Sequence, residues 1–385
     1  MAFLQKNRNK LLIMAFTIML MNGVVNNLRG QIGPFIIEQY SLSYSKLGFL
    51  FSFFSIGSMV VFFFTGKLIE RFGLVRLLLG GLVTNFIALS LFFWINSYYL
   101  LILAFTLIGI GLTILNISAV NLVSISYSKK RGKMINLLHL FYGIGGISAP
   151  YFVTVLIKNG FSWSSSFLFS LIFVIIIGWQ FKLVSLPQIE VKTGKQQMDS
   201  TLKLLQNRRV TLFALIVFLQ VGVEFSMVTW LAPFLKNFQG RSELAVSFHL
   251  SLFFIAFTVG RFIASLLVEK FGYYNFLLFN CAAAILFINT AVIGGYNYTI
   301  LLPLSGIFLA VQVPTTQAAI FDSFSQNGIK VVGFSQTAGM IGSTVLSNWL
   351  LGFVNDFFNL KASFIALILV LIISFLATYR LKQLS

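Results

Sequence analysis

The sequence predicts an all-α integral membrane protein, with twelve transmembrane helices arranged as two pseudo-symmetric six-helix bundles. Three observations support that class. Hydrophobic residues make up 58% of the 385-residue chain and charged residues 9%, whereas a soluble domain carries about 25% charged residues. Apolar runs of about 20 residues, long enough to cross a bilayer as a helix, recur between short charged or turn-forming breaks. Short motifs also recur between the two halves of the chain at nearly constant spacing. The runs are too long and too unbroken for the alternating pattern of a membrane barrel.

Taken in order, candidate spans start near residues 11, 44, 75, 98, 134, 163, 210, 245, 274, 299, 330 and 361. The first follows a basic stretch, but it outlasts a signal-peptide core and shows no small-residue cleavage pattern, so a retained helix is expected. The longest polar segment, "PQIEVKTGKQQMDSTLKLLQNRR" at 187–209, follows the sixth span. It divides the chain into an amino-terminal bundle over 1–187, a cytoplasmic linker over 188–209 and a carboxy-terminal bundle over 210–385.

The net charge of +18 follows the membrane. With the amino terminus placed in the cytoplasm, twenty Lys and Arg residues collect on the cytoplasmic side, including Lys6, Arg8, Lys10, Lys67, Lys129, Lys130, Arg208, Arg209, Arg380 and Lys382. The opposite side holds five: Lys46, Lys158, Lys236, Arg241 and Lys361. That bias predicts a multi-pass protein of the cell (inner) membrane with both termini cytoplasmic. The basic surface then reads as topology and contact with anionic membrane lipids, and no nucleic-acid partner is expected.

The repeat is visible residue by residue. "IGPFI" at 32–36 returns as "LAPFL" at 231–235, and "KLIERFG" at 67–73 returns as "LLVEKFG" at 266–272, both 199 positions on. A spacing of 197 brings Gly109 onto Gly306 and Gly145 onto Gly342. Four ordered matches suggest duplication, and parallel six-span halves joined by a cytoplasmic loop describe a known transporter plan with its site between the halves.

"GKLIERFGLVR", Gly66 to Arg76, lies between the second and third spans. It resembles the signature loop of the major facilitator superfamily, with Glu70 where that family usually has aspartate, and the resemblance extends over the chain through span count, loop lengths and repeat. It implies the major facilitator fold and alternating access. A carboxylate and arginine on a tight glycine turn can hold neighbouring helix ends together in one state and release them in another, which makes Gly66, Glu70, Arg71, Gly73 and Arg76 candidate gate residues. A solvated turn that only sets topology is the plainer alternative. "INLLHLFYGIGGISAP" at 135–150 and "FLQVGVEFSMVTWLAPFL" at 218–235 are similar to the fifth and seventh spans of the fucose, glucose and galactose permeases. That similarity implies a sugar as solute, moved with protons or sodium.

The polar residues inside the spans are the candidate solute-binding set. Asn22, Asn26 and Arg29 share one face of the first span, with Asn27 beside it, and Gln220 and Glu224 lie one turn apart on the seventh. Asn116 and Asn121 mark the fourth span, and Gln312, Thr316 and Gln317 the tenth. These are the spans that line the cavity in the resembled family. Amides and an acid offer donors and acceptors to a ligand made of hydroxyl groups. Singly, each amide could equally be a hydrogen bond between helices. Trp230 is read as an interfacial anchor or a stacking platform for a sugar face, and His139 as a packing residue within reach of a cytoplasm-facing cavity. His249 and Arg261, on the eighth span, carry a weaker signal.

Glu224 is the acid placed deep in a span; Glu38, Glu70, Glu190, Asp199, Glu243, Glu269, Asp322 and Asp356 fall in loops or near span ends. A charge at mid-membrane costs about 3 kcal/mol on insertion scales, so it is retained for a reason. Three readings stay open: a coupling site that binds a proton in a closed state, a ligand or ion-pair clamp with Arg29, and a purely structural role.

The expected function is secondary active transport of a small polar solute, a sugar foremost, coupled to protons through Glu224, by a monomer. A proton-coupled exporter of drugs or other amphiphiles is the alternative, and a non-transporting membrane receptor on the same fold the third. An enzyme is not expected, because no nucleophile, base and orienting group come together. No cofactor or phosphate-binding loop is expected, the glycine runs "GIGLT" and "GIGGIS" being helix-packing sites. No metal site is expected either, with one cysteine, Cys281, and two histidines, His139 and His249, on separate spans.

Overall fold

Apolar length alone dictates the main elements. The structure, a computed structural model, describes residues 2–127, 131–184, 206–324 and 328–384. Among these, twelve helices are long and apolar enough to span a membrane. They are α1 (Arg8–Tyr40), α2 (Tyr44–Phe64), α3 (Leu68–Phe93), α4 (Tyr98–Val123), α5 (Leu137–Lys158) and α6 (Ser165–Leu183), then α7 (Arg208–Phe238), α8 (Glu243–Ala264), α9 (Tyr273–Tyr298), α10 (Leu301–Ser323), α11 (Val331–Phe357) and α12 (Leu360–Gln383). Several starts are capped by a polar side chain just before the apolar run. Ser97 accepts from Leu100 N at 3.3 Å, Asn207 from Arg209 N at 2.9 Å and Asn359 from Ala362 N at 2.9 Å. No strand occurs among the described residues.

Most of the expected starts are met within a few residues. The third is not, and the difference corrects the picture of the signature loop. No open turn spans 66–76: one continuous helical stretch runs from Tyr44 to Ser90, broken at a single residue, Gly73, with φ 71° and ψ 161°. Glycine reaches that conformation without the clash a Cβ would cause, so one residue suffices to turn the chain near the start of α3. Gly272, its partner in the repeat, does the same between α8 and α9 with φ 74° and ψ 146°.

The chain forms two compact units. One comprises Met1–Phe35 with Phe53–Gly194, the other Ile36–Ser52 with Lys195–Ser385. The expected linker lies, over 188–205, outside the described residues.

Within each unit the helices cross at glycines, and the crossings match between repeats. In the first unit, Gly109 on α4 lies against the carbonyl of Phe54 on α2. In the second, Gly306 on α10 lies against the carbonyl and ring of Phe253 on α8. Gly145 on α5 packs against Leu20 O and Val24 N of α1, and Gly342 on α11 against Phe218 O of α7. Apolar surface gains little by leaving lipid for another helix, so close backbone approach through small residues is what holds membrane helices together. Two proline-bearing helices also match: Pro34 lies inside α1 and Pro233 inside α7, where a π turn over Phe234–Phe238 follows it. A second π turn, Ser343–Leu350, interrupts α11.

Candidate functional site

In the first unit the polar face expected on α1 divides into two kinds of residue. Asn22 and Asn27 bond their own helix, Asn22 Nδ2 to Ile18 O at 2.9 Å and Asn27 Nδ2 to Gly23 O at 2.8 Å. Both amides are buried and turned onto their own helix. Asn26 and Arg29 instead form a cluster. Arg29 donates from Nε to Asn26 O at 3.0 Å and from Nη2 to Asn26 Oδ1 at 2.6 Å, and its guanidinium carbon stands 3.7 Å from the ring centre of Phe54. Asn26 Nδ2 donates in turn to the phenolic oxygen of Tyr142 on α5. Arg29 is 7% exposed, and within its own unit no carboxylate among the described residues pairs with it. A buried guanidinium of this kind is stabilised by the aromatic face beneath it and by the amide at its edge.

On α4, Asn121 Nδ2 bonds Ile117 O of its own helix at 2.8 Å. Among the described residues Asn116 Nδ2 reaches the thioether of Met19, at 3.7 Å, a weak engagement for an amide. His139 is exposed on α5.

In the second unit, the expected ligands Gln220 and Gln312 spend their amides on each other. Gln220 Nε2 donates to Gln312 Oε1 at 3.0 Å, Thr316 Oγ1 donates to Gln220 Oε1 at 3.2 Å, and Gln312 Nε2 reaches Leu277 O at 3.4 Å. All three residues are buried. The network ties α7 to α10, whereas Gln317, one residue beyond Thr316, is half-buried. Glu224 lies one turn beyond Gln220 and is half-buried. Within its unit and among the described residues it makes no ion pair; the ion pair found there joins Lys236 and Glu243 at 2.7 Å. Arg261 lies on α8 in the same unit. Its guanidinium carbon lies 4.6 Å from the Phe257 ring centre.

One expectation needs correction. Trp230 is neither an interfacial anchor nor an open stacking surface. It is fully buried, donates from Nε1 to Ser347 O at 2.7 Å and meets Tyr44 edge-on at 6.1 Å. The carbonyl it caps lies in the π turn of α11, where the shifted helical register frees backbone acceptors. The signature-motif side chains Glu70, Arg71 and Arg76 are exposed, and Gly73 turns the chain; Gly66 lies in the helix.

Tyr142 and Arg261 are residues that pattern reading underweighted. Arg261 had a signal: apart from Arg29 it is the cation left over once the loops are counted. Tyr142 had only its place in the "INLLHLFYGIGG" stretch, one of many aromatics in an aromatic-rich chain.

Twelve apolar helices in repeat-related halves, with amides, an acid and two arginines inside them, define a polytopic transporter of a small molecule. The model of the Major Facilitator Superfamily matches residues 11–302, and the chain belongs to that family. It is therefore a transporter and not an enzyme. It is 22% identical over 373 residues to the glucose/mannose transporter GlcP of Bacillus subtilis, a match covering 94% of this chain and 85% of that one. It is 26% identical over 330 residues to a glucose/galactose transporter of Brucella abortus, covering 81% of this chain and 80% of the other. Among solved structures, the nucleoside transporter NupG superposes with a TM-score of 0.81 at 14% identity, over 97% of this chain and 98% of that one. The expected resemblance to the sugar permeases of this superfamily is thus borne out.

Proposed function

We propose that this transporter carries a neutral hexose across the cell membrane together with a proton, by alternating access. The observation that carries the coupling is Glu224, a half-buried carboxylate in a membrane span with no ion pair inside its unit among the described residues. Such a group is stabilised by taking up a proton when water is excluded and by losing it when water returns. A proton is favoured over sodium because one oxygen-bearing side chain accepts it fully, whereas sodium asks for several oxygen ligands.

The sugar assignment is supported by the names of the GlcP and Brucella relatives. Asn26, Arg29 and Asn116 in the first unit, and Gln317 and Glu224 in the second, are the proposed solute contacts, with Gln220, Gln312 and Thr316 tying α7 to α10 within the second unit. The bundles over 1–187 and 210–385 are the moving parts, joined by the 188–209 linker, with Glu70, Arg71 and Arg76 as gate residues on the cytoplasmic side. The twenty-to-five basic bias supports cytoplasmic termini. One chain forms the whole pathway, as a monomer.

The test is uptake of labelled hexoses into proteoliposomes with and without an inward proton gradient, for the wild type and Glu224→Gln. Gradient-driven accumulation is expected for the wild type and its loss in Glu224→Gln, with counterflow exchange preserved. Accumulation that survives the substitution would remove Glu224 from coupling.

A further inference from the structure

We propose that Tyr142 is a specificity-determining residue, forming with Asn26 and Arg29 a donor-rich cluster that takes an oxygen-rich group of the solute. The inference rests on the transport reading above and concerns how the solute is recognised.

The register that brings these residues together is set by packing. At the crossing of α1 and α5, a Cβ on Gly23 would collide with the Tyr142 carbonyl, and one on Gly145 would meet Leu20 O at 2.5 Å. A turn or two to one side Phe16 stacks on Phe141 with centroids 4.2 Å apart and planes 9° apart, and to the other Gln31 Nε2 reaches Thr154 Oγ1 at 3.4 Å. Three kinds of contact along one seam leave little freedom to slide. The Tyr142 backbone makes the crossing, so its side chain is free for another task.

Hydrogen-bond bookkeeping shows what that task requires. Arginine has no acceptor, so the bond from Arg29 Nη2 fixes which end of the Asn26 amide is oxygen. The other end must then donate to Tyr142, whose oxygen accepts. A phenol that accepts from one side directs its own proton elsewhere, and Tyr142 is half-buried. Asn26 keeps a second N–H, and Arg29, with five N–H donors, uses two within the cluster. The free valences of the cluster are predominantly donors. A cation is excluded by the guanidinium, and a matching ligand must offer lone pairs: carbohydrate oxygens, or a carboxylate. Phe54 beneath the guanidinium holds it in place and repels water from that side.

The test compares wild type, Tyr142→Phe and Asn26→Ala in proteoliposomes, with D-glucose, its 2-, 3- and 6-deoxy derivatives, and D-glucuronate as probes. Tyr142→Phe keeps the ring and the backbone crossing, and should leave the melting temperature unchanged. It is expected to raise KM for D-glucose about tenfold, the order of one lost hydrogen bond, with kcat within about twofold. For one deoxy derivative, the one missing the hydroxyl that Tyr142 reads, the substitution should add nothing, and Asn26→Ala should single out the same derivative. A fall in kcat at constant KM, equal losses for every derivative, or a different pattern for Asn26→Ala would overturn the inference. Wild-type liposomes that take up D-glucuronate and no hexose would end the hexose reading alone; the inference then stands if Tyr142→Phe raises KM for D-glucuronate and falls if it does not. Uptake of neither probe would end both.

Discussion

Asp356 caps the helix that begins at Tyr44. Its Oδ1 accepts from Tyr44 N at 2.7 Å and its Oδ2 from Ser45 N at 2.9 Å, so one carboxylate near the end of α11 satisfies two consecutive amides that the helix itself leaves unpaired. The surroundings are built to allow this approach. Gly48 lies against the Asn348 carbonyl, a Cβ on Gly352 would stand 2.9 Å from Ser45 Cα, and Phe49 stacks on Trp349 at 6.4 Å.

Removing the cap should loosen segment 36–52 from α11. Asp356→Ala is expected to cost about 1 kcal/mol, as helix-cap losses do, and Asp356→Asn less, since one acceptor remains. The measurement is the melting temperature in detergent, with thiol labelling of a Ser45→Cys variant as a local readout. Equal labelling rates with and without Asp356→Ala would show that the cap does not hold the segment.

Gln220 and Gln312 should behave as structure and not as solute ligands. Gln220→Leu leaves Gln312 Oε1 and the Thr316 hydroxyl without the partner they have across α7 and α10. Interhelical hydrogen bonds in membranes contribute about 0.6 kcal/mol on average and up to about 1.7, so a drop in melting temperature of that order is expected, with KM for D-glucose changed less than about threefold. A KM change of tenfold with unaltered stability would return Gln220 to the binding site.

The two glycine breaks should respond alike. Gly73 and Gly272 hold φ of 71° and 74°, and nothing lies within 4 Å of where a Cβ would stand at either, so backbone strain is the sole penalty. Gly73→Ala and Gly272→Ala are each expected to destabilise by about 1 kcal/mol, measurable by thermal melting. If Gly73 also serves the proposed gate, its substitution should slow uptake more than that of Gly272 does, at matched stability.

Part of this molecule is legible in one dimension. Span number, all span starts but the third, the repeat and the family motif follow from apolar length and short identities, because a bilayer core demands about 20 apolar residues per helix wherever they pack. The glycine positions of the repeat were legible as well, and the structure adds what they touch: Gly109 and Gly306 meet the carbonyls of Phe54 and Phe253, themselves 199 positions apart. The candidate site was legible as an inventory only. Asn22, Asn26 and Arg29 share a helical face, yet Asn22 bonds its own backbone while Asn26 and Arg29 engage Tyr142 and Phe54.

The sequence by itself determined the class, the twelve helices and the set of polar residues that the spans carry. Tertiary structure alone decided that Gln220 is consumed by Gln312, that Trp230 is sealed against Ser347, and that Tyr142 completes the Asn26–Arg29 cluster. The reason is physical. Hydropathy is a property of each segment against lipid, whereas a hydrogen bond depends on which residue of another helix arrives within about 3 Å, and that is set by helix crossings whose contacts lie scores of residues apart in the chain.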